Sequence, residues 1–460
     1  VPKLRLKNET SVRVATAGGS ANATLADLAN VRTYDQTLTV DVQAGARGRA
    51  LKGLEYLFNY PRGCVEQTAS PMLAALNTDQ YYRSYSKVSY DRQRINESIS
   101  QGVDRLAPNG ASEANAQHAN GAWSMWGNDP DGDLFYTVYA LYGTTAVEND
   151  AVQGPANAGQ LGELNYSASV DWLAGKQRAD GSFRSNHYYE DRRSMTGLAL
   201  VAADRANDAG VSGTNSNLTR LRQDATAYLL DTQNPGGSWN DEDGDASPMA
   251  TALAVRGLAT VADSPALNGS QQQAVDDALN ASAGWLEAEQ NQDGSWDGYH
   301  QSRWWNSQGD VSESTGQVLL ALDSADATDV AVDNATLDAG VAYLTDVYRE
   351  DGSFGYTRAT AVAIDALQRL STSGGERTVT VELVDTSTGS VLLDETVTVS
   401  GDDPIRSVRL TDDANASELR ALREAGELEV QATSSDPGVV IVGVSSDQVV
   451  DEREYLTEES

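Results

Sequence analysis

Lysine is nearly absent from this 460-residue sequence, and acidic side chains are in large excess. The chain has 5 Lys and 28 Arg against 43 Asp and 24 Glu, so its net charge is −34. This charge excludes a nucleic-acid backbone or an anionic membrane surface as the default partner. The acidic groups repel one another in dilute buffer, but molar salt shortens the Debye length to about 3 Å. The composition therefore predicts a protein of a salt-loving organism.

Long apolar runs and cysteines are scarce as well. No run of 18 apolar residues occurs, so we expect no membrane span in this chain. Cys64 is the only cysteine, which excludes an intrachain disulfide and leaves the residue buried, reactive or chemically consumed. The chain begins with Val1 and shows no signal-peptide pattern, so we expect a mature product or a piece of a longer protein.

Asn-x-Ser/Thr sequons, by contrast, are more frequent than chance predicts for this composition. Such sites accept glycans on exported proteins, so their excess favours an extracellular or cell-surface glycoprotein. The alternative is that a polar composition inflates the count. The nine candidates are Asn8, Asn22, Asn96, Asn165, Asn217, Asn268, Asn280, Asn334 and Asn415.

A turn pattern recurs through the middle of the chain. It appears as QRADGSF at 177–183, QNPGGSW at 233–239, QNQDGSW at 290–296 and YREDGSF at 348–354, with weaker copies near Gly121 and Gly63. Its glycines are 56 to 60 residues apart, at positions 63, 121, 181, 237, 294 and 352. This spacing predicts six copies of one structural unit.

Each unit is expected to be a helix, a glycine turn and a second helix. Apolar residues recur at helical spacing before the turn, as in 168–176, and after it, as in 194–203 and 250–261. The glycine supplies the positive φ with which the first helix ends. Six such helical hairpins close into an α/α toroid of about twelve helices. All six turns, including the one that holds Cys64, then lie at one end of the ring.

The flanks of this region have the β-branched, alternating pattern of strands. The segments are 37–42, 378–385, 391–399, 405–410, 427–434 and 439–446. We therefore predict an α+β multi-domain chain in which the toroid, residues 45–374, is inserted into a small antiparallel β-sandwich. Residues 1–44 and 375–450 would form the sandwich, and residues 451–460 an acidic tail or linker.

The segment Cys64-Val65-Glu66-Gln67 carries the candidate chemistry. Cys64 and Gln67 are three residues apart at the start of a predicted helix, so their side chains share one face. Attack of the Cys64 thiolate on the Gln67 carboxamide carbon, with loss of ammonia, would give an internal thioester. Such an activated acyl group needs protection from water until it is used. The spacing alone is also compatible with a buried core cysteine beside an unrelated glutamine.

The surrounding residues resemble a known family. The run YPRGCVEQT at 60–68 resembles the thioester signature of bacterial alpha-2-macroglobulins and, more distantly, of the complement thioester proteins. The segments 121–140 and 170–183 resemble that family's following helix and hairpin. The flanks resemble the CUB-like β domain into which its toroid is inserted. Arg62 departs from the pattern, because bacterial members frequently have an aromatic residue there.

The resemblance implies a function. It implies an internal thioester between Cys64 and Gln67, with Pro61, Gly63 and Glu66 supporting the motif, and covalent capture of a target protease or surface nucleophile. Such a protein is spent in one event, so we expect an endopeptidase inhibitor, not an enzyme, and no cofactor. The family's preceding β domains and bait region are not in these residues, which leaves further N-terminal β domains of a longer protein as candidate partners.

His187 is the candidate for a third reactive group. It follows the third glycine turn, where the resembling complement segment has a catalytic histidine. The likeness implies an acyl-imidazole relay, for which a neutral imidazole is suited near pH 7. The alternative is an ordinary surface or capping histidine, and the thioester would then prefer amines.

Two acidic clusters leave a calcium site open as a weaker alternative. Alternating carboxylates are typical of calcium loops. The twelfth position of each cluster, Ala140 or Ala252, offers no bidentate acid, so a solvated surface is the favoured interpretation. The candidate ligands are Asp129, Asp131, Asp133, Asp241, Asp243 and Asp245.

Two other functions remain open. The Gln-x3-Gly-x-Trp repeats at Gln233 and Gln290 resemble structural repeats of terpene cyclases, although the Asp-x-Asp-Asp motif of such an enzyme is missing and 243–246 is the nearest approach. A structural or adhesive toroid with an unreacted Cys64 is the third candidate.

Overall fold

The computed structural model describes most of the chain. The described residues are 3–14, 19–25, 28–60, 63–83, 92–108, 116–127, 129–150, 161–186, 189, 191–211, 216–298, 307–347, 349, 351–370, 376–400, 404–425, 427–435 and 440–458. The described parts of 1–49 and 372–460 form one compact unit, and those of 50–83 and 91–371 form a second. No described helix is long and apolar enough to cross a membrane.

Helices follow the sequence repeat. In the described residues between Gly45 and Leu370 there are twelve: α1 (Gly45–Asn59), α2 (Val65–Tyr82), α3 (Arg92–Leu106), α4 (Leu134–Asp150), α5 (Tyr166–Lys176), α6 (Arg192–Ala206), α7 (Ser216–Thr232), α8 (Pro248–Val261), α9 (Gly269–Ala288), α10 (Ser307–Asp326), α11 (Asn334–Asp346) and α12 (Thr357–Leu370). A short π-helical segment, Asn207–Val211, extends α6.

The even-numbered helices form a closed ring. Each contacts the next from α2 to α12, and α12 contacts α2 again. All residues of α4 from Leu134 to Val147 are buried, as expected for a helix surrounded by others. The odd-numbered helices from α3 to α11 each contact two neighbouring even-numbered helices, so they lie outside the ring. The predicted α/α toroid of six helical hairpins is confirmed.

The glutamine that stands four residues before Gly181, Gly237 and Gly294 binds each of these turns to the next odd-numbered helix. Gln233 Nε2 donates to Gly237 O at 3.1 Å and to Ala278 O, in α9, at 3.0 Å. Gln177 and Gln290 make the same pair of hydrogen bonds in their own units. The side chain thereby binds one backbone carbonyl in the turn and one in the next helix, and so links the two units.

In every unit but the first, the aromatic residue two positions after the glycine fills the interior of the unit. The fully buried members of this set are Trp123, Phe183, Trp239, Trp296 and Phe354. The Trp239 backbone N–H donates to Thr251 Oγ1 in α8 at 2.9 Å, and its indole N–H donates to Leu229 O in α7 at 2.8 Å. Trp239 therefore forms hydrogen bonds to both helices of its own hairpin, and its side chain fills the space between them.

The first unit is a sandwich of two four-stranded antiparallel sheets. Their strand orders are β1-β8-β3-β6 and β2-β7-β4-β5, so strands from before and after the toroid pair in both sheets. The strands are β1 (Lys3–Val14), β2 (Ser20–Leu25), β3 (Thr33–Ala44), β4 (Arg377–Asp385), β5 (Ser390–Val399), β6 (Ile405–Thr411), β7 (Leu428–Ser434) and β8 (Val440–Asp451). Leu38, Val40 and Val42 alternate along β3 and belong to the core that both sheets share.

The sequence interpretation missed two short helices of this unit. Helix α13 (Asp412–Glu424) follows β6 and buries only Leu419 and Leu422. Strand β8 continues to Asp451, and α14 (Glu452–Glu458) follows it in the segment interpreted as an acidic tail or linker. Both helices are polar over most of their surface, so their sequences carry little of the apolar period that identifies a helix.

Gly237→Ala tests the close approach of a turn to the next helix. A Cβ at Gly237 would lie 2.3 Å from Ala281 O, and its φ of +97° is unfavourable for any side chain. Gly236, its neighbour, has open space around it and is the matched control. We expect Gly237→Ala to lower the free energy of unfolding by about 3 kcal/mol, and Gly236→Ala by less than about 0.5 kcal/mol. Urea denaturation measures both, and equal losses would contradict the close approach.

Candidate functional site

The first glycine turn differs from the others in how it leads into the ring. After Gly237, a connecting segment precedes α8, which begins at Pro248. After Gly63, α2 begins at Val65, so no connecting segment is present. Cys64 is therefore the N-cap residue of α2, in the extended conformation (φ −85°, ψ 177°) that a cap adopts.

Cys64 takes the position that serine has in the last four units. The corresponding residues are Ser182, Ser238, Ser295 and Ser353. Ser182 Oγ donates to Asp180 Oδ1 at 2.6 Å and so stabilises its own turn. The first unit thus has a thiol, directly at a helix N-terminus, where later units have a hydroxyl that belongs to a turn.

Cys64 and Gln67 hold each other at the start of α2. The Gln67 backbone N–H donates to Cys64 Sγ, and Gln67 Oε1 accepts from the Cys64 backbone N–H at 3.3 Å. This reciprocal pair is a capping box in which cysteine replaces the usual serine or threonine. Cys64 is 4% exposed. The thiol and the carboxamide therefore lie together on the first turn, where Cys64 is buried and Gln67 is partly exposed.

Gly63 makes room for this pair. A Cβ at Gly63 would lie 2.6 Å from Gln67 Oε1 and 3.0 Å from the Trp126 ring. Unlike Gly121, Gly63 does not have a positive φ, which corrects the expectation that every turn glycine supplies one. Trp126 is 46% exposed and lies against Gly63. This glycine is needed for space beside Gln67, and the tryptophan covers that side of the motif.

Glu66 is buried directly beside the pair. Its carboxylate accepts from Ser70 Oγ at 2.7 Å and from Thr357 Oγ1 at 2.8 Å, and Ser70 in turn contacts Tyr139 OH at 2.9 Å. Burial raises the pKa of the Glu66 carboxyl, although Arg358 and these hydrogen bonds act in the opposite direction. Thr357 is the first residue of α12, so Glu66 joins the start of α2 to the start of α12, where the ring closes.

A buried ion pair lies next to this junction. Arg358 donates to both carboxylate oxygens of Glu313, which also accepts from the hydroxyls of Tyr356 and Tyr189. Burial would raise the pKa of Glu313, but the Arg358 guanidinium brings it below its ordinary value. The guanidinium also lies 5.5 Å from the Phe135 ring centroid. Full hydrogen bonding is what makes such a buried pair tolerable.

The Cys64 thiol is held in its neutral form. Burial raises its pKa, and the neighbouring Glu66 carboxyl contributes in the same direction, whereas the N–H groups at the start of α2 lower it by less. The thiolate is the nucleophilic form of cysteine. The free thiol is therefore a weak nucleophile in this environment.

Two of the predicted site residues, Pro61 and His187, lie outside the described residues. His118, which is described, contacts Ser124 Oγ through Nε2 at 3.1 Å. The part proposed for His187 thus stays a prediction. Of the predicted motif, the structure brings together Gly63, Cys64 and Gln67, with Glu66 directly beside them.

The two acidic clusters use carboxylates within their own turns. Asp241 Oδ1 accepts from the three backbone N–H groups of Asp243, Gly244 and Asp245 at 3.0 to 3.1 Å. Asp129 Oδ1 accepts from the N–H two residues later at 3.0 Å. Within the described part of the chain, no group of three or more His, Cys, Asp or Glu side chains could hold a metal ion. The calcium alternative gains no support from these positions.

None of the nine sequon asparagines is buried. Six are exposed and three are partly exposed; the partly exposed ones are Asn8, Asn217 and Asn415. Two of the nine also cap helices, because Asn165 accepts from the Ala168 N–H and Asn268 from the Gln271 N–H. Glycan attachment at these sites stays a prediction that their accessibility permits.

Sequence reasoning missed Trp126, Glu313 and Arg358. Trp126 lies within the segment 121–140, but its place against Gly63 depends on the fold of a loop that has no regular period. Glu313 and Arg358 gave a usable signal, since each is a charged residue flanked by small or apolar residues in a helix of the buried ring. Opposite charges in two buried helices indicate a pair.

The pH dependence of the Cys64 thiol can be measured in Gln67→Ala, which cannot form a thioester. At pH 8 we expect iodoacetamide to modify folded Cys64 more slowly than the urea-unfolded chain, with the rate rising only above the ordinary thiol pKa of about 8.5. The contribution of this thiol to the free energy of unfolding is fully present below that pH. It is lost as pH rises through the higher pKa that the thiol has in the folded state. Gln67→Ala/Cys64→Ala lacks this dependence and is the control. A folded rate that is already constant at pH 7 would contradict the shift.

Comparisons with known proteins identify solved structures with a similar fold. Native alpha-2-macroglobulin from Escherichia coli, from domain MG7 to the C-terminus, is 14% identical, with a TM-score of 0.54 over 97% of this chain and 57% of that chain. Salmonella alpha-2-macroglobulin reacted with methylamine is also 14% identical, with a TM-score of 0.54 over 97% of this chain and 24% of that chain. No curated protein matches the sequence.

These similarities differ in what they show. At 14% identity the two structures show the fold alone, and the chain spans less than two thirds of the length of either. The model of the A-macroglobulin TED domain matches residues 37–370, which is more than half of the chain and includes Cys64 and Gln67. The chain therefore belongs to the alpha-2-macroglobulin family, of which it carries the thioester domain.

Proposed function

We propose that Cys64 and Gln67 form an internal thioester that acylates a nucleophile on a target protein, commonly an attacking protease. The observation that carries the proposal is the reciprocal hydrogen bonding of these two residues on the buried first turn of α2. Proximity of this kind converts a difficult bimolecular reaction into an intramolecular one.

The reaction balances without a cofactor. Cys64 Sγ attacks Gln67 Cδ, the bond between Cδ and Nε2 breaks, and ammonia leaves with the thiol proton. On capture, a target amine attacks Cδ, an amide forms, and the Cys64 thiol is regenerated. Each chain reacts once, so the proposed activity is inhibition by covalent capture and not turnover. A hydroxyl target would need the His187 relay; without it, amines are preferred.

The proposal extends to the setting of the protein. The sequon excess and their accessible positions support an extracellular or cell-surface glycoprotein. The matched structures are longer than this chain, which supports further N-terminal domains as partners in protease capture. The Salmonella relative is described as reacted with methylamine, and the same small amine is the natural reagent for Cys64 and Gln67.

The terpene-cyclase alternative loses its main support. Gln233 and Gln290, whose repeats suggested it, donate to backbone carbonyls between units, so their role is structural. The cavity inside the ring near Tyr139 and Leu73 is about 30 Å³, which is room for ordered water and not for an isoprenoid chain. The structural or adhesive alternative differs from the thioester proposal only in the state of Cys64.

Intact mass spectrometry under denaturing, amine-free conditions tests the thioester. We expect the purified chain to be lighter by one ammonia than its sequence, after correction for any glycan. Methylamine should add once to Gln67 and release one titratable thiol per chain, because aminolysis opens the thioester. Cys64→Ala and Gln67→Ala should show the full mass and no methylamine addition.

Gln273→Ala, an exposed change on α9, is the matched control and should behave as wild type. Capture is tested with an active protease, which should give a covalent adduct that survives denaturation in wild type and is absent from Cys64→Ala. An unreacted Cys64 at full mass in freshly purified protein would refute the thioester. A thioester that reacts with methylamine but never with protease would refute capture by this chain alone.

Salt dependence tests the halophilic setting. The net charge of −34 makes the folded chain repel itself, and salt screens this repulsion. The free energy of unfolding should therefore rise as KCl increases from about 0.1 M to about 1 M, because the Debye length falls from about 10 to about 3 Å. Urea denaturation at each salt concentration measures the effect. Sucrose at equal osmolality is the control, because it does not screen charge. A midpoint that does not change with KCl would contradict the halophilic interpretation.

A further inference from the structure

The first turn of α2 carries both candidate reactive residues, and the ends of a helix are the parts that fray most readily. The first N–H groups of a helix have no partner within it. Two of them are bound here: the Gln67 N–H donates to Cys64 Sγ, and the Val65 N–H donates to Met125 O at a long 3.4 Å. A misplacement of about 1 Å between reacting groups can slow a reaction about 100-fold. The side chains that restrain this turn therefore bear directly on the reaction.

Glu66 restrains the turn from inside the ring. It directly precedes Gln67, and its side chain is buried. Oγ1 of Thr357, the first residue of α12, lies 2.8 Å from one carboxylate oxygen and 3.0 Å from the other. Ser70 Oγ donates to the same carboxylate and contacts Tyr139 OH in α4. The first turn of α2 is thus linked to both of its neighbours in the ring, directly to α12 and through Ser70 to α4.

The contact with Thr357 is the one that depends on closure of the ring. Ser70 lies in the same helix as Glu66, so that hydrogen bond forms with the helix itself, whereas Thr357 is 291 residues further along the chain. The next residue, Arg358, donates to both carboxylate oxygens of Glu313 in α10. The start of α12 is therefore fixed to α10 by a buried ion pair. Thr357 reaches Glu66 when this end of α12 packs against α2.

A second side-chain hydrogen bond joins α2 and α12 far from this turn. Gln368 Nε2 donates to Thr78 Oγ1 at 2.6 Å, and both residues are buried. Thr78 lies about 18 Å from Glu66 along the axis of α2. The same two helices are therefore joined by one buried threonine hydroxyl beside Cys64 and by another far from it. This pair of contacts allows a local effect on the reactive turn to be separated from a general effect on helix packing.

We propose that Thr357 is a positioning residue for thioester formation. Its hydrogen bond to Glu66 fixes the first turn of α2, so that Cys64 and Gln67 react only when α12 has closed the ring. This inference rests on the proposed thioester. In that reaction the bond between Cys64 Sγ and Gln67 Cδ forms, the bond between Cδ and Nε2 breaks, and the thiol proton leaves with the nitrogen as ammonia. Thr357 takes no part in these bonds and acts through Glu66.

Intact mass spectrometry during refolding tests this role. The full chain, taken unfolded in urea from inclusion bodies with Cys64 as a free thiol, is diluted into high-salt buffer, and the loss of ammonia is followed over time. Thr357→Val should lose ammonia about tenfold more slowly than wild type, because valine keeps the shape but not the hydrogen bond to a charged group. Thr357→Ser keeps the hydroxyl and should restore the wild-type rate. Thr78→Val, the matched control, should also react at the wild-type rate.

Both valine variants should lower the urea midpoint, because each removes a buried hydrogen bond. A slow reaction in Thr357→Val alone therefore reports position and not stability.

A second measurement does not need the thioester. In the Gln67→Ala background, Thr357→Val should let iodoacetamide modify folded Cys64 about tenfold faster, because the turn that buries the thiol is loosened, and Thr78→Val should not. Equal rates of ammonia loss in wild type and Thr357→Val, or equal slowing in both valine variants, would overturn the positioning role and leave the thioester standing. A wild-type chain that folds and keeps its full mass would refute the thioester, and this role with it.

Discussion

The ring depends on the contact between four of its glycine turns, at Gly121, Gly181, Gly237 and Gly294, and the backbone of the next odd-numbered helix. A Cβ at Gly181 would lie 2.1 Å from Asp224 O, and one at Gly294 would lie 2.2 Å from Ala339 O. No side chain fits such a gap, so in these units the turn contacts the next odd-numbered helix through its glycine. Gln177 and Gln290 then bind the carbonyls on both sides of the contact. This constraint explains why the glycines are nearly equally spaced in the sequence.

The candidate reactive site is a local exception to that constraint. In the first unit α2 begins directly after the turn, so Cys64 becomes a helix cap instead of a turn residue. The space that Gly63 leaves beside itself is filled by Gln67 Oε1 and the Trp126 ring, not by the carbonyl of another helix. Glu66 then takes over the joining of units, through its hydrogen bond to Thr357 at the start of α12. The absence of a connecting segment in the first unit thus places a thiol and a carboxamide side by side, while the ring remains closed.

The ring was predictable from sequence because its determinants are local and repeated: a glycine at constant spacing, a glutamine before it and an aromatic residue after it. Cys64 and Gln67 were predictable as a pair because residues three positions apart on a helix share a face. The contact of Glu66 with Thr357 was not, since Thr357 becomes its neighbour only when α12 meets α2. Helix α13 was not predicted, because its only buried residues, Leu419 and Leu422, are too few to show a helical period of apolar residues.

The interior of this acidic protein keeps its carboxylates paired, which bears on how a capture event would end. Glu313 is bound by Arg358, and Glu66 accepts hydrogen bonds from hydroxyl groups. Near Cys64, burial and Glu66 favour the neutral thiol. A thiol released by capture would therefore be a poor nucleophile toward the newly formed amide or ester. The environment that makes Cys64 slow to react when free would also make its replacement by a target difficult to reverse.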